Sequence, residues 1–375
     1  MKVLQVLPAL NSGGVERGTL EMGSALVKAG HESWVVSGGG QLVSRLKRQG
    51  STHVQWSLGR KSPLSLLQVP RLRRWLAQQR FDIIHLRSRM PAWLIWLAWR
   101  GLPVATRPHL VSTVHGLHSV SRYSAIVTCG ERVIVVSESV RQYVTDNYPD
   151  CDPEKLRLVY RGINPAQFPP GYRPPEHWLR RWYRQYPQLL EHDVITLPGR
   201  LTRLKNHADF LRILAELRAR GRSVKGLIVG DEDPKRRAYA REVHRLAADL
   251  GLSDHVLFTG QRDDMREIYA MSNVVLSLSN RPESFGRTVL EPLSMQVPVV
   301  AYAHGGVGEI MQVLFPEGAV PCGAIDEAIE KVDAVLRQAL PPPRANTTFL
   351  LSRMCADTIA VYREILENPG GRAEP

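Results

Sequence analysis

The sequence predicts an α/β protein of two domains, and three observations predict it. Short apolar runs rich in Val, Ile and Leu, such as KVLQVLPAL, FDIIHLR, HLVSTVHG and DVITLPGR, each stop abruptly at a polar or glycine-containing turn, as buried strands do. Segments of helical periodicity separate them, so strands and helices alternate as they do around a parallel sheet. At 375 residues, 43% hydrophobic and 23% charged, the chain is long enough for two such cores and has a soluble globular composition.

The formal charge of +13 is concentrated at one end. Residues 1–170 carry 22 Lys and Arg against 10 Asp and Glu, whereas the remaining 205 carry 27 against 26. Such a one-sided field favours an anionic partner for the first half: a phosphorylated substrate, an acidic membrane leaflet or nucleic acid. The four cysteines, Cys129, Cys151, Cys322 and Cys355, follow no metal or redox spacing and read as reduced thiols. MKVLQVLPAL lacks the long apolar run and small-residue cleavage site of a secretory signal. The most apolar window, Pro91 to Trp99, is far shorter than the roughly 20 residues a spanning helix needs. The expectation is a cytoplasmic protein that does not cross a membrane.

In chain order, KVLQVLPAL is the first strand and NSGGVERG leads into an amphipathic helix from about Val15 to Ala29. The Gly13–Gly14 pair lets backbone approach a ligand, but it lacks the G-x-G-x-x-G spacing of a dinucleotide site. ESWVVSGGG is the second strand, LLQVPRLRRWLAQQ a basic helix and FDIIHLR the next strand. In MPAWLIWLAWRG, Trp93, Trp96 and Trp99 are spaced i, i+3, i+6 on one helical face. Packing on the sheet is the favoured reading, and a membrane-interface face beside Arg87, Arg89 and Arg100 the sharper one. HLVSTVHG ends in His115 and Gly116; RVIVVSES and LRLVYRGIN complete a first domain predicted over 1–168. Residues 165–191 read as a connection, with HWLRRWYRQY favoured as a solvated helix. The second domain, predicted over 169–347, opens with DVITLPGRLTRLKN. There Arg200 and Lys205 stand beside a helix N-terminus, which suits a diphosphate without a metal. The D-x-D of residues 231–233 precedes a surface helix and reads as a solvated loop.

Residues 273–309 form one strand–loop–helix–strand–loop unit: NVVLSLS, a polar turn, a helix predicted from about Ser284 to Gln296, then PVVAYA and Gly305–Gly306. Glu283 lies just before that helix, where free N–H groups and the dipole favour anions. Glu291 is eight residues on, nearly the same face if both are counted along one helix. Taken alone, the pair also reads as a capping glutamate and a solvated one. Carboxylates aimed into a cleft need partners, and vicinal sugar hydroxyls supply them.

The E-x7-E spacing, with Ser284, Phe285 and Gly286 after the first Glu and GGVGE beyond the second, resembles the signature of glycosyltransferase family 4. The resemblance covers most of the chain and is densest from Asp193 to Ile310. It implies a retaining enzyme of the GT-B type: two Rossmann-like domains with parallel sheets facing across a cleft, and a last helix, 348–368, returning to the first domain. It implies that Glu283 holds donor-sugar hydroxyls and Glu291 the ribose, and that Arg200 and Lys205 clamp the diphosphate. Gly13 and Gly14 match an element near the donor phosphates, Gly260 and Gln261 line the base pocket, and His115 orients the transferred sugar.

The expected reaction is metal-independent hexose transfer, needing no cofactor beyond the nucleotide sugar, with UDP-glucose or UDP-N-acetylglucosamine favoured. The expected acceptor is a phosphorylated glycolipid or saccharide, such as a lipopolysaccharide core, at the inner face of the cytoplasmic membrane, whose anionic surface is a candidate partner. A nucleotide-sugar epimerase of the same fold, a metal-dependent transferase using Asp231 and Asp233, and a nucleic-acid-binding protein are the competing readings. The last leaves E-x7-E idle, so nucleic acid is not an expected partner.

Overall fold

Seven parallel strands make the first sheet: β1 (Lys2–Val6), β2 (Glu32–Ser37), β3 (Thr52–Gln55), β4 (Ile83–Leu86), β5 (His109–Val114), β6 (Arg132–Val135) and β7 (Leu156–Leu158). Their order is β3-β2-β1-β4-β5-β6-β7. Six more make the second: β8 (Asp193–Pro198), β9 (Val224–Val229), β10 (Val256–Phe258), β11 (Val274–Ser277), β12 (Val299–Tyr302) and β13 (Ala319–Val320), in the order β10-β9-β8-β11-β12-β13. The computed structural model describes residues 1–11, 13–232 and 237–367. Helices cover both faces of each sheet, which is why the strands are nearly continuous apolar runs. In each sheet the order reverses once, between β1 and β4 and between β8 and β11. At such a point the loops at the carboxyl ends diverge and leave a crevice.

The first compact unit is Met1–Gly162 together with the chain from Leu351 onward; the second is Ile163–Leu350. The boundary falls at Gly162 rather than 168 because Ile163 already pairs with Leu350 in a bridge of the second unit. The last helix, Leu351–Glu367, lays Met354, Ile359, Tyr362 and Ile365 against Val3, Ile83 and Val111 of the first sheet. Tyr362 O–H meets Nδ1 of the buried His85 at 2.6 Å, and Glu364 accepts from Arg132 at 2.8 Å and from Arg157 at 2.9 Å. Those two hydrogen-bonded guanidiniums hold the Glu364 carboxyl down at about 2 against its burial.

Two aromatic segments needed the tertiary structure. The tryptophan helix, Arg89–Arg100, packs on the sheet: Trp99 is buried and its Nε1–H donates to Pro108 O at 2.6 Å, while that of Trp93 donates to Tyr123 O at 2.9 Å. The segment expected as a solvated helix is instead a regular amphipathic one, Glu176–Gln185, and part of the second core. Trp178, Trp182 and Tyr186 recur every fourth residue, so they form one buried stripe. The two indoles stack at 4.9 Å, and Trp178 Nε1–H donates to Asp264 at 2.8 Å. The arginines occupy the outer face.

Trp182 is 2% exposed. Trp182→Ala is therefore expected to destabilise the protein by about 3–5 kcal/mol, read by urea denaturation. A loss below about 1 kcal/mol would return this helix to the solvated class.

Candidate functional site

The loops after β8, β9, β11 and β12 gather at the carboxyl edge of the second sheet, on either side of its order reversal. After β8 the chain runs through Gly199, whose φ of +141° and missing side chain let the Lys205 stem lie across it; a Cβ there would meet Lys205 Cε at 2.9 Å. A 3-10 turn, Arg203–Lys205, then leads through the left-handed Asn206 into the helix His207–Ala219. Asn280 ties this turn to the loop after β11: its N–H donates to Leu204 O at 3.0 Å and its side chain to Arg203 O at 3.1 Å.

These contacts bring Lys205 and Glu283 together. Lys205 Nζ donates to Glu283 Oε1 at 2.7 Å, with side chains only 17% and 19% exposed. Ser279 O–H donates to the same oxygen. The Ser279 carbonyl is held in turn by His304 Nε2 at 2.7 Å. Burial alone would raise the Glu283 carboxyl, but the Lys205 charge and the Lys205 and Ser279 hydrogen bonds outweigh it and leave the pKa below the ordinary range.

The helix expected from Ser284 begins only at Arg287 and ends at Ser294. Residues 283–285 cannot be helical, because Glu283 pairs with Gly305 as an isolated bridge and its carbonyl accepts from Gly306 N–H at 2.8 Å. The glycines permit this approach: a Cβ on Gly305 would meet Glu283 O at 2.6 Å, and one on Gly306 would meet Phe285 Cα at 2.5 Å. Gly286, at φ +109°, turns the chain into the helix. Counting Glu283 and Glu291 along one helix face therefore fails. Glu291 is 5% exposed, accepts from Tyr269 O–H at 3.2 Å and pairs with Arg287 at 3.4 Å. Phe285 turns its ring inward against Phe349, at 5.8 Å, so only its backbone is left for a ligand; Ser284 is half-buried beside it.

Arg200 is exposed with no side-chain partner among the described residues. The D-x-D is not simply solvated: Asp231 accepts from Gln261 N–H at 2.9 Å and so holds the Gly260–Gln261 turn, in which Gly260 has φ +68°. Asp233 lies outside the described residues. Sequence reasoning missed Ser279 and His304, whose only signals are a serine closing an apolar run and a histidine before Gly-Gly.

In the first unit, Gly13 caps the helix Gly14–Lys28, and Glu16 folds back over it: a Cβ on Gly13 would meet Glu16 Oε2 at 2.4 Å. Among the described residues, a Cβ on Gly14 would meet nothing within 4 Å. His115 follows β5, where Arg161 Nη2–H donates to its Nδ1. Arg87 is 3% exposed, donates from Nη1 to Gln5 at 2.9 Å and keeps Nε and Nη2 without a hydrogen-bond partner among the described residues. Gly18 leaves room for both guanidiniums against the helix, at 3.0 and 3.2 Å from where its Cβ would be. Burial first, then the charges of Arg161 and Arg87, press the His115 pKa well below its ordinary value. A guanidinium only donates, so Nδ1 must offer a lone pair and the neutral ring carries its proton on Nε2. The same Nη2 lies 3.5 Å from His115 Nε2.

Two measurements check these environments. A carboxyl whose folded pKa is depressed stabilises fully above its unfolded value, about 4.3, and loses that contribution as pH falls through the folded value. Wild type should therefore lose unfolding free energy relative to Glu283→Gln below about pH 4.3; a constant gap over that range excludes the ion pair. Histidine ¹⁵N shifts should show His115 as the neutral Nε2–H tautomer at neutral pH, with titration moving up toward about 6.5 in Arg161→Ala. An Nδ1–H tautomer in wild type contradicts the geometry.

Comparison with known proteins converges on one group. Residues 12–167 match the Glycosyltransferase Family 4 model and residues 182–347 the Glycosyl transferases group 1 model. A glycosyltransferase structure from Rickettsia africae is 28% identical with a TM-score of 0.84, covering 98% of this chain and 99% of that one. Anabaena HepE, solved with UDP and with UDP-glucose, shares the fold at a TM-score of 0.75 and 19% identity, covering 99% of this chain and 99–100% of those. N-acetyl-alpha-D-glucosaminyl L-malate synthase of Bacillus anthracis is 27% identical over 323 residues, 81% of this chain and 79% of that protein. D-inositol 3-phosphate glycosyltransferase of Corynebacterium kroppenstedtii is 30% identical over 186 residues, 48% of this chain and 40% of that protein. With a family 4 region followed by a group 1 region on two parallel-sheet units, the chain belongs to the GT-B family 4/group 1 glycosyltransferases.

Proposed function

We propose that the protein is a retaining, metal-independent transferase that moves a hexose from a UDP-sugar to an anionic saccharide or glycolipid acceptor. The single observation that carries the donor half is the Lys205–Glu283 pair at the order reversal of the second sheet. Without substrate the two charges satisfy each other. With a nucleotide sugar, the ammonium turns to the diphosphate and the carboxylate to the sugar hydroxyls, joined by Arg200 on the phosphates and Glu291 on the ribose. The Gly260–Gln261 turn takes the base through its backbone, and Gly13 and Gly14 give N–H groups to phosphate oxygens.

Negative charge grows on the leaving diphosphate as the glycosidic bond breaks, and Lys205 and Arg200 offset it. The acceptor hydroxyl attacks from the face the nucleotide leaves, and its proton departs with the phosphate, since His115 has no free lone pair and serves as a donor to a substrate oxygen. The basic first half supports an acidic acceptor. So do two relatives whose names contain inositol 3-phosphate and malate, both anions. A phosphorylated glycolipid of the lipopolysaccharide-core type at the inner face of the cytoplasmic membrane is the acceptor we favour.

A thermal-shift panel of UDP- and GDP-sugars on the full chain is expected to single out a UDP-sugar, with the shift lost in Lys205→Ala. Glu283→Ala and Lys205→Ala should each lower turnover by about 100- to 1000-fold. Wild-type turnover in both variants would end this assignment. Product NMR should show transfer with retained configuration, whereas an epimerised donor released without acceptor would point to the epimerase reading.

A further inference from the structure

Between Glu32 and Glu131 the chain has one acidic residue, Asp82, against fourteen Lys and Arg. Inside that stretch the 3-10 turn Pro63–Gln68 inverts the usual rule of burial. Its serine, Ser65, is buried, with Oγ–H donating to Arg60 O at 2.9 Å, while Leu64, Leu66 and Leu67 are 72%, 52% and 76% exposed. The turn is built rather than frayed: Pro63 opens it, Ser62 Oγ accepts from Leu64 N–H at 3.3 Å, and the helix Val69–Gln79 follows directly.

Cations rim the leucines. Arg60 and Lys61 precede the turn and are exposed, as is Arg71 just after it. Lys61 lies over the Tyr123 ring at 5.2 Å, and Arg89 over the same ring at 5.4 Å. That shared ring joins the turn to the loop running on from His115, in which Val120 is 56% exposed and Arg122 is exposed.

We propose that this face is a membrane-docking wedge: the three leucines enter the headgroup–acyl boundary and the surrounding cations meet anionic lipid phosphates. Leucine side chains add nothing against a nucleic-acid backbone, whose sequence-tolerant binders use aromatic platforms, so the apolar tip favours a bilayer. The wedge does not rest on the reaction assigned above. It also relocates the candidate membrane face from the tryptophan helix, now packed on the sheet, to residues 60–71. Docking there brings the loop after His115 to headgroup depth, where a glycolipid's saccharide lies.

The test is co-sedimentation of the full chain with phosphatidylcholine vesicles and with vesicles containing about one third phosphatidylglycerol. Binding is expected only to the anionic vesicles and to weaken with salt. The Leu64→Ser, Leu66→Ser, Leu67→Ser triple variant should lose at least about tenfold in affinity. Arg60→Gln with Lys61→Gln should lose about fivefold per charge. Melting temperature and the UDP-induced shift, read on the same samples, are expected to stay at wild-type values, which separates the wedge from the donor site. Three results would overturn it: no wild-type binding to anionic vesicles, unchanged binding by the leucine variant, or displacement from anionic vesicles by duplex RNA at equal phosphate.

Discussion

A carboxylate four-fifths withdrawn from water stays ionised when a cation and hydrogen-bond donors stand beside it, and the loops after β8, β11 and β12 together meet that condition. Glu283 sits on one side of a sheet-order reversal and Lys205 on the other, so neither loop alone supplies the pair. Glycines make their meeting possible. Gly199 gives way to the lysine stem, and Gly305 and Gly306 give way to the strand-like backbone of residues 283–285. Ser279 and His304 then set the carboxylate from behind, one through its hydroxyl and the other through the serine's carbonyl. Such a pair is poor evidence of stability, because its Coulomb gain roughly repays desolvation. On the function proposed above, the two groups are held ready for a ligand that satisfies both.

The first unit solves a different electrostatic problem. Two guanidiniums, Arg87 and Arg161, share the space that Gly18 leaves open, and His115 answers them by remaining neutral. His115, expected from the resemblance to orient the transferred sugar, has its Nδ1 taken by Arg161. A neighbouring cation keeps the Glu283 carboxyl low against its burial, whereas at His115 burial leads and the two arginine charges add to it.

Charge and hydrophobicity also part company along the first half. The tryptophan face had the composition of a membrane surface and is mostly spent on packing and on donating to Pro108 and Tyr123 carbonyls. The leucines at 64, 66 and 67 had no periodicity to mark them, yet they are among the large apolar side chains left exposed, with Val104 and Val120 in the same half. Composition identified the half of the chain that carries the excess positive charge; burial identified the surface.

Local chemistry legible in the residues determined the alternation of strands and helices and the basic first half, and it singled out Arg200 and Lys205 as cations beside a helix N-terminus; the expected roles of Glu283 and His115 came only with the resemblance to glycosyltransferase family 4. The alternation follows from periodicity and turn residues, and the two cations from which side chains can bind phosphates. Tertiary structure alone decided that the helix after Glu283 starts at Arg287, that Phe285 and the 178–182–186 aromatic stripe face inward, and that Asp231 holds the Gly260–Gln261 turn. It also decided the tautomer of His115. In every one of these cases the deciding partner is distant in the chain: Gly305 for Glu283, Phe349 for Phe285, Arg161 for His115. A pattern read along the sequence records what a residue prefers by itself, whereas its neighbour across the fold settles which preference is satisfied.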